Sequence, residues 1–203
     1  MIARFIVICS AAVFFHVHAA SAQTHPTTEC DKLAASPEDP QRNAPGIDFN
    51  KVNPKAAVPA CEAAVGQLPN EARLHFQLGR AYSKAKQYQS AVEHYKKAAE
   101  AGYPVAQFNL GIMYYRGQGV RRDYVLAYMW FDVSAAQTAS AVARQNVARR
   151  MSPAQLTQAQ KMSLQCRAQA FKNCEVGNQP QSDEIKEAPA TPMAKPIVLD
   201  AVG

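Results

Sequence analysis

The chain repeats a helical pattern within itself, and this repeat restricts the possible folds more than any other feature. The two copies lie 32 residues apart in the first helix of the pattern and 36 in the second, because the second copy has a longer loop. The matched positions are Leu78-Gly79 with Leu110-Gly111, Tyr82 with Tyr114, Ala91 with Ala127, and Tyr95 with Phe131. Periods of about 34 residues are typical of helical solenoids. The sequence therefore predicts an all-α fold of stacked helix–turn–helix units.

Glycines mark positions where these units need space or unusual turns. Gly79 and Gly111 each cost about 1 kcal/mol in a helix interior, so we expect both to permit close helix packing. We place the small alanines of the second helix opposite them and its aromatic residues in a wider layer. Gly117 and Gly119 in the longer loop can adopt positive φ. Asp123 follows this loop and is a suitable N-cap for the next helix.

The second unit resembles the Sel-one-like repeat, a relative of the tetratricopeptide repeat. The residues that carry the resemblance are Ala106, Leu110-Gly111, Tyr114, Gly117, Gly119-Val120, Asp123, Ala127, Trp130 and Ala135-Ala136. The first unit has the shorter loop and is closer to a tetratricopeptide repeat. A third, weaker unit begins at Ala139 and continues past Ser152-Pro153, where we expect another helix start. The resemblance implies a short right-handed α-solenoid that binds a protein or peptide in its concave groove and has no catalytic activity.

The ends of the chain differ in composition from the repeats. Arg4 precedes a 16-residue apolar run from Phe5 to Ala20, and Ala20-Ser21-Ala22 suits a signal peptidase. We expect cleavage near Ala22-Gln23 and a periplasmic or secreted protein with no stable membrane insertion; the alternative is a retained anchor. The predicted organisation is a signal peptide at 1–22, an irregular segment at 23–53, a helical repeat domain at 54–174 and a disordered tail at 175–203. Within the domain we place repeats at about 71–103 and 104–138 and capping helices at 139–172.

Four cysteines remain after cleavage, an even number that favours two disulfides in an oxidising compartment. Three pairings are possible, and the clustering along the chain favours Cys30 with Cys61 and Cys166 with Cys174. A continuous helix would hold the second pair too far apart, so the last helix must end or turn between them. A zinc site is the alternative, but the sequence lacks a close Cys-x-x-Cys pair. We expect neither a metal nor a cofactor.

The positive charge is concentrated in the folded part of the chain, where residues 23–174 carry about +8. This charge favours an acidic protein or peptide partner, and we expect no nucleic acid. Because two clear repeats are few for a stable array, an oligomer is possible. The first helix of each solenoid unit lines the concave face. The residues that we place there for partner binding are Arg73, Phe76, Gln77, Arg80, Lys84, Phe108, Asn109, Tyr115 and Arg116.

Catalytic signals are weak. Ser83-Lys84-Ala85-Lys86 spells Ser-x-x-Lys, the nucleophile motif of penicillin-interacting enzymes, but Lys-Thr-Gly is absent. The alternative function is therefore an envelope enzyme or small-ligand binder acting on a cell-wall fragment or a β-lactam, with Ser83 as nucleophile. His75 is predicted to pack in the core and His94 to face solvent.

Overall fold

The computed structural model describes residues 26–134 and 138–175, and within these ranges it contains helices and no strands. The all-α prediction is confirmed. The predicted signal peptide and residues 176–203 of the predicted tail lie outside the described residues. None of the described helices combines the length and the apolar character needed to cross a membrane. The helices are α1 (Glu29–Ala34), a 3-10 helix (Phe49–Lys51), α2 (Pro54–Gln67), α3 (Ala72–Lys84), α4 (Tyr88–Glu100), α5 (Pro104–Arg116), α6 (Tyr124–Val133), α7 (Thr138–Ala148) and α8 (Pro153–Ala168).

Local signals explain where several helices begin and end. Proline occupies the first turn of α2, α5 and α8, where its missing N–H is not needed. Asp123 accepts a hydrogen bond from the Leu126 N–H and so caps α6 as predicted. Ser152 caps α8 in a reciprocal pair with Gln155. Gly117 ends α5 in the left-handed conformation, with φ of 68°.

The N-terminal segment is more regular than its composition indicated. We predicted an irregular segment at 23–53, but the structure has α1 and the 3-10 helix there. Thr28 and Asp31 form a capping box in which each side chain bonds the backbone N–H of the other residue. The prolines that indicated an irregular segment lie outside α1, so they do not interrupt this helix. The Thr-x-x-Asp spacing was the signal for this helix.

Successive helices of the repeats stack in order: α3 on α4, α4 on α5, and α5 on α6. The largest core cluster runs from α3 and α4 to α8 and includes Trp130 and Phe131, which are fully buried. A smaller cluster joins α1 and α2 to α3. At the other end, α7 and α8 both pack against α6. The two repeats are therefore enclosed by helices at both ends.

The helix-interior glycines make room for aromatic rings. A Cβ atom at Gly79 would lie 2.7 Å from Cδ1 of Tyr95, and one at Gly111 would lie 2.7 Å from Cδ1 of Phe131. The expectation that small alanines face these glycines needs correction, because the ring of the second helix lies directly over the glycine in both repeats. At Gly111 the Ala127 carbonyl also comes within 3.3 Å of the Cβ position.

Both expected disulfides are present. Cys30 on α1 is joined to Cys61 on α2 with a Cα–Cα distance of 4.5 Å, and Cys166 is joined to Cys174 with a distance of 4.7 Å. As the second pair requires, α8 ends at Ala168 between its two cysteines, and the chain turns back to bring Cys174 close. The first bridge fixes the N-terminal segment to the helical stack, and the second closes the C-terminal turn.

Candidate functional site

One stripe of α3 carries the polar side chains predicted to bind a partner, and the N-terminal segment covers it. Arg73, Gln77, Arg80 and Lys84 recur at intervals of three or four residues and therefore share one face of the helix. All four bind residues between Asp31 and Asn50. This face of the first repeat is thus already occupied by the protein's own chain.

The first part of this contact is a buried ionic cluster. Asp31 pairs with the Arg73 guanidinium and accepts a hydrogen bond of 2.9 Å from Nε2 of Gln77. All three side chains are buried, and burial lowers the pKa of Arg73. A buried charge is tolerated when it is paired. The Asp31 carboxylate therefore holds α1 against the middle of α3.

The second part recognises the main chain. Arg80 is fully buried, and its Nη1 donates to the carbonyl oxygens of Ala34 and Ala35 at 3.0 and 2.7 Å. Its Nη2 donates to the Ile47 carbonyl oxygen. Lys84 donates to the Asn50 carbonyl at 2.9 Å, and its Nζ lies 5.4 Å from the centre of the Phe49 ring. Carbonyl oxygens are common to all peptides, so this stripe binds a peptide chain largely through its backbone.

The accessibility assumed for several predicted partner-binding residues is wrong. Arg73, Gln77 and Arg80 share one face of α3, but the N-terminal segment buries them. Phe76 and Phe108 belong to the core. Phe76 packs against Tyr95 and Tyr103, with ring centres 6.1 and 5.6 Å away, and Phe108 packs against Phe131 at 5.4 Å. The helical register placed these phenylalanines at the edge of the stripe, where the facing helix covers them.

Beyond Phe49 the concave face opens into a cleft of about 140 Å³. The first repeat contributes the end of α3 and the start of α4, and the second repeat contributes α5 and its loop. Phe49 closes the side nearest the N-terminal segment. The residues that line the cleft are Phe49, Ser83, Tyr88, Tyr95, Asn109, Ile112, Met113, Arg116 and Gln118.

Of the remaining predicted residues, Asn109 and Arg116 line this cleft and Tyr115 does not. Arg116 is exposed at its rim. Asn109 is buried in its wall and donates a hydrogen bond of 2.9 Å to the Val105 carbonyl. Tyr115 points away from the cleft, where its ring contacts that of Tyr124 at 5.8 Å and lies under the Arg150 guanidinium at 5.7 Å. Of the predicted set, Asn109 and Arg116 are brought together here.

Ser83, the nominal nucleophile of the enzyme alternative, also lines the cleft. Its side chain is hydrogen-bonded to Tyr95, a buried phenol whose pKa burial raises. Lys86 of the Ser-x-x-Lys motif follows the end of α3 with φ of 62° and is exposed. Among the described residues, no group of three or more His, Cys, Asp or Glu side chains is arranged to hold a metal ion.

Seven of the nine cleft residues were absent from the predicted partner-binding set: Phe49, Ser83, Tyr88, Tyr95, Ile112, Met113 and Gln118. Phe49 lies in the segment predicted to be irregular, and nothing in the sequence indicates that it meets α3. Ser83 was considered only as a nucleophile. The repeat alignment could have assigned it to a binding surface, because Ser83 occupies the position of Tyr115 in a unit that is otherwise similar.

On another face, two histidines stack next to each other. Nδ1 of His75 lies 3.0 Å from Nδ1 of His94, and Nε2 of His75 lies 2.8 Å from the Pro69 carbonyl. His75 is buried as predicted. His94, which we expected to face solvent, is half-buried because it lies between His75 and Tyr82. Burial and the neighbouring His75 lower the pKa of His94 to about 4.

The C-terminal turn is attached through Glu175. Its carboxylate accepts a hydrogen bond of 3.1 Å from Nε1 of Trp130 and lies 2.6 Å from Nζ of Lys96. Tyr114 also hydrogen-bonds this carboxylate, and burial together with Glu175 raises the pKa of the phenol. We predicted that the tail begins at residue 175. For Glu175 this is wrong, because three side chains of the repeats bind it.

The family comparison identifies two Sel1 repeats in this chain, at residues 72–103 and 104–138. These ranges contain α3–α4 and α5–α6 respectively. A search of the curated proteins finds no match.

The chain is also similar to a solved structure, the crystal structure of a protective antigen present in uropathogenic Escherichia coli strains that displays an SLR fold. The two are 29% identical, with a TM-score of 0.51. The match covers 68% of this chain and spans 31% of the length of that protein. Together with the repeat match, this likeness assigns the helical stack to the Sel1-like solenoid fold, whose members generally serve as protein-interaction scaffolds.

Proposed function

We propose that this chain, with its two Sel1 repeats, is a non-catalytic interaction scaffold of the bacterial cell envelope. Its partner is a peptide segment that binds in the open part of the concave face, between Phe49 and Arg116. The observation that carries the proposal is the occupied part of the same face, where Arg80 binds three backbone carbonyl oxygens of the N-terminal segment. A surface that holds one peptide strand through its main chain is suited to extend that contact to a second.

The location is supported by the two disulfides. Disulfides persist in oxidising compartments such as the periplasm and the extracellular space, and both cysteine pairs are bonded here. The apolar N-terminal run and its small-residue cleavage site support export. The similar E. coli protein is a protective antigen. An antigen must be accessible outside the cytoplasm, so this likeness also supports export of the chain.

Site-specific crosslinking tests the proposal. A photo-reactive amino acid at Gln118 would lie in the cleft, and the same group at Gln165 would lie on the exposed face of α8 as a matched control. In envelope extract we expect a defined protein adduct from position 118 and none from 165. The same adduct from both positions, or no protein adduct from 118, would contradict a scaffold that uses this cleft.

One variant separates the scaffold from the enzyme alternative. Ser83→Ala removes the nucleophile and leaves the cleft open, so a scaffold should give the same adduct from position 118 as the unchanged protein. An enzyme that uses Ser83 would lose any covalent label by a β-lactam probe in this variant. Labelling of the unchanged protein that disappears with Ser83→Ala would therefore favour the enzyme.

A further inference from the structure

We infer that the concave cleft is a pocket for one aromatic side chain, so that the partner peptide carries a tyrosine or phenylalanine at the contact. This inference rests on the proposed function for the identity of the ligand as a peptide. The ring-binding pocket itself follows from a comparison of matched positions in the two repeats, in which Ser83 stands where the second repeat has Tyr115.

The repeat register pairs Ser83 with Tyr115 and Tyr88 with Tyr124. In the second repeat the two tyrosines are in contact, with ring centres 5.8 Å apart. In the first repeat the same two positions line the cleft, and the ring at the first of them is missing. The cleft is therefore the space that Tyr115 fills in the second repeat, left open because residue 83 is a serine.

The size of the cleft agrees with this origin. Its volume is about 140 Å³, close to the roughly 150 Å³ of an enclosed apolar cavity that binds benzene, although this cleft is open and its lining also includes Ser83, Asn109, Arg116 and Gln118. A single aromatic ring therefore fits, whereas a larger folded element does not. An aliphatic side chain would fit but would forgo the ring contact that the second repeat makes.

The walls supply the contacts that an aromatic ring uses. Tyr88 offers a ring for tilted packing, as Tyr124 does for Tyr115. Met113 lines the cleft with a thioether, and sulfur atoms make favourable contacts with ring edges. Arg116 lies at the rim, and in the second repeat an arginine, Arg150, stands over the Tyr115 ring. The cleft thus offers a tyrosine ring and an arginine, the two kinds of group that contact Tyr115 in the second repeat.

Amide NMR of the disulfide-bonded protein tests the pocket directly, with N-acetyl-tyrosinamide as the probe and N-acetyl-leucinamide as the aliphatic comparison. We expect the tyrosine probe to shift the amide signals of Ile112, Met113 and Gln118 and to bind at least tenfold more tightly than the leucine probe. Equal affinities, or shifts elsewhere only, would overturn the inference.

Ser83→Tyr should fill the cleft from within and weaken the tyrosine probe at least tenfold. Gln165→Tyr adds the same ring to the exposed face of α8, and there we expect unchanged affinity. If Ser83→Tyr lowers the thermal midpoint, Tyr88→Ala provides a second route, because it removes one ring wall and should weaken binding as well. Unchanged probe affinity in a folded Ser83→Tyr protein would show that the cleft does not bind the ring.

The reverse change offers an independent gain of binding. Tyr115→Ser should open an equivalent cleft beside Tyr124 and add a second site, seen as new shifts in α6. No second site would count against the repeat comparison. These results separate the two proposals. An adduct from position 118 without probe binding supports the scaffold and contradicts the aromatic pocket. Probe binding without an adduct supports the aromatic pocket and contradicts the scaffold.

Discussion

A single buried guanidinium makes the main attachment between the N-terminal segment and the repeats. Arg80 is fully buried, and desolvation lowers its pKa to about 10, so it remains charged at neutral pH. Three carbonyl oxygens from two parts of the segment accept its hydrogen bonds. The Ile47 N–H also donates a hydrogen bond of 2.8 Å to the Ala35 carbonyl. Arg80 therefore joins α3 to two parts of the N-terminal segment that are already bonded to each other.

Arg80→Ala should lower the free energy of unfolding by roughly 2–3 kcal/mol, because buried carbonyl groups lose a charged donor. Urea denaturation measures the loss. Arg149→Ala is the matched control, since this arginine is exposed and makes no ion pair among the described residues; its effect should stay within about 0.5 kcal/mol. Equal effects of the two substitutions would mean that Arg80 does not hold the segment.

The histidine pair makes stability depend on pH. The unfolded-state pKa of histidine is about 6.5, and the folded-state pKa of His94 is lowered to about 4 by burial, His75 and Lys97, with Glu62 acting in the opposite direction. Between these values the unfolded chain binds more protons than the folded chain. The contribution of neutral His94 to the free energy of unfolding is therefore fully present above about pH 6.5 and is lost as the pH falls toward 4.

His94→Phe should reduce this acid loss by up to about 1.4 kcal/mol per pH unit, the contribution of one proton. An aromatic replacement is suitable because Trp130 occupies the matching position of the second repeat. Chemical denaturation between pH 4 and 7 measures the slope. The idea fails if the variant and the unchanged protein show the same slope.

At the level of the helices, glycine and aromatic residues form one packing unit. In each repeat the glycine of the first helix receives the ring of the second, Gly79 with Tyr95 and Gly111 with Phe131. The glycine weakens its own helix, and the buried ring more than offsets this through packing. The spacing of 32 and 36 residues preserves the pair in both copies despite the different loops.

Gly111→Ala should destabilise the protein by about 1–3 kcal/mol, because the new methyl group would force the buried Phe131 ring to move. Gly66 is the matched control on α2, since a Cβ atom there meets nothing within 4 Å. Gly66→Ala should raise stability by about 0.5–1 kcal/mol through helix propensity. Thermal and urea unfolding of both variants give the sign, and a neutral or stabilising Gly111→Ala would contradict the packing account.

At the level of the whole molecule, two repeats are enclosed by segments that are not repeats. Solenoids need capping elements at their ends because a terminal unit exposes one apolar face. Here α1 and α2 cover α3 at one end, and α7 and α8 cover α6 at the other. Each end also carries one disulfide. The bridges compensate for the small number of repeats by restricting the unfolded chain.

The chain-entropy relation predicts a larger effect for the longer loop. Replacing Cys30 and Cys61 with serine should cost about 4 kcal/mol, and replacing Cys166 and Cys174 should cost about 2–3 kcal/mol. The first pair spans 31 residues and the second spans 8. Urea denaturation of the two double variants measures both losses. Limited proteolysis should also cut the N-terminal segment faster in the first variant, and the reverse order of stability would contradict this account.

The sequence alone determined the elements that depend on local patterns. The repeat register, the capping residues Asp123 and Ser152, the all-α class and the position at which the last helix ends all follow from spacing, propensity or chain geometry. These features depend on residues within one or two helical turns of each other, or on a period that repeats along the chain. They can therefore be predicted from the sequence without a structure.

Tertiary structure decided which surface is free. The stripe from Arg73 to Lys84 was identified in sequence as a binding face, and only the structure reveals that residues 31–50 cover it. This contact joins side chains to backbone carbonyls more than 30 residues away, and carbonyls carry no sequence signal. The open cleft likewise depends on Ser83, Phe49 and α5 meeting in space. Local pattern specified the helices, and long-range packing between them and the N-terminal segment specified the site.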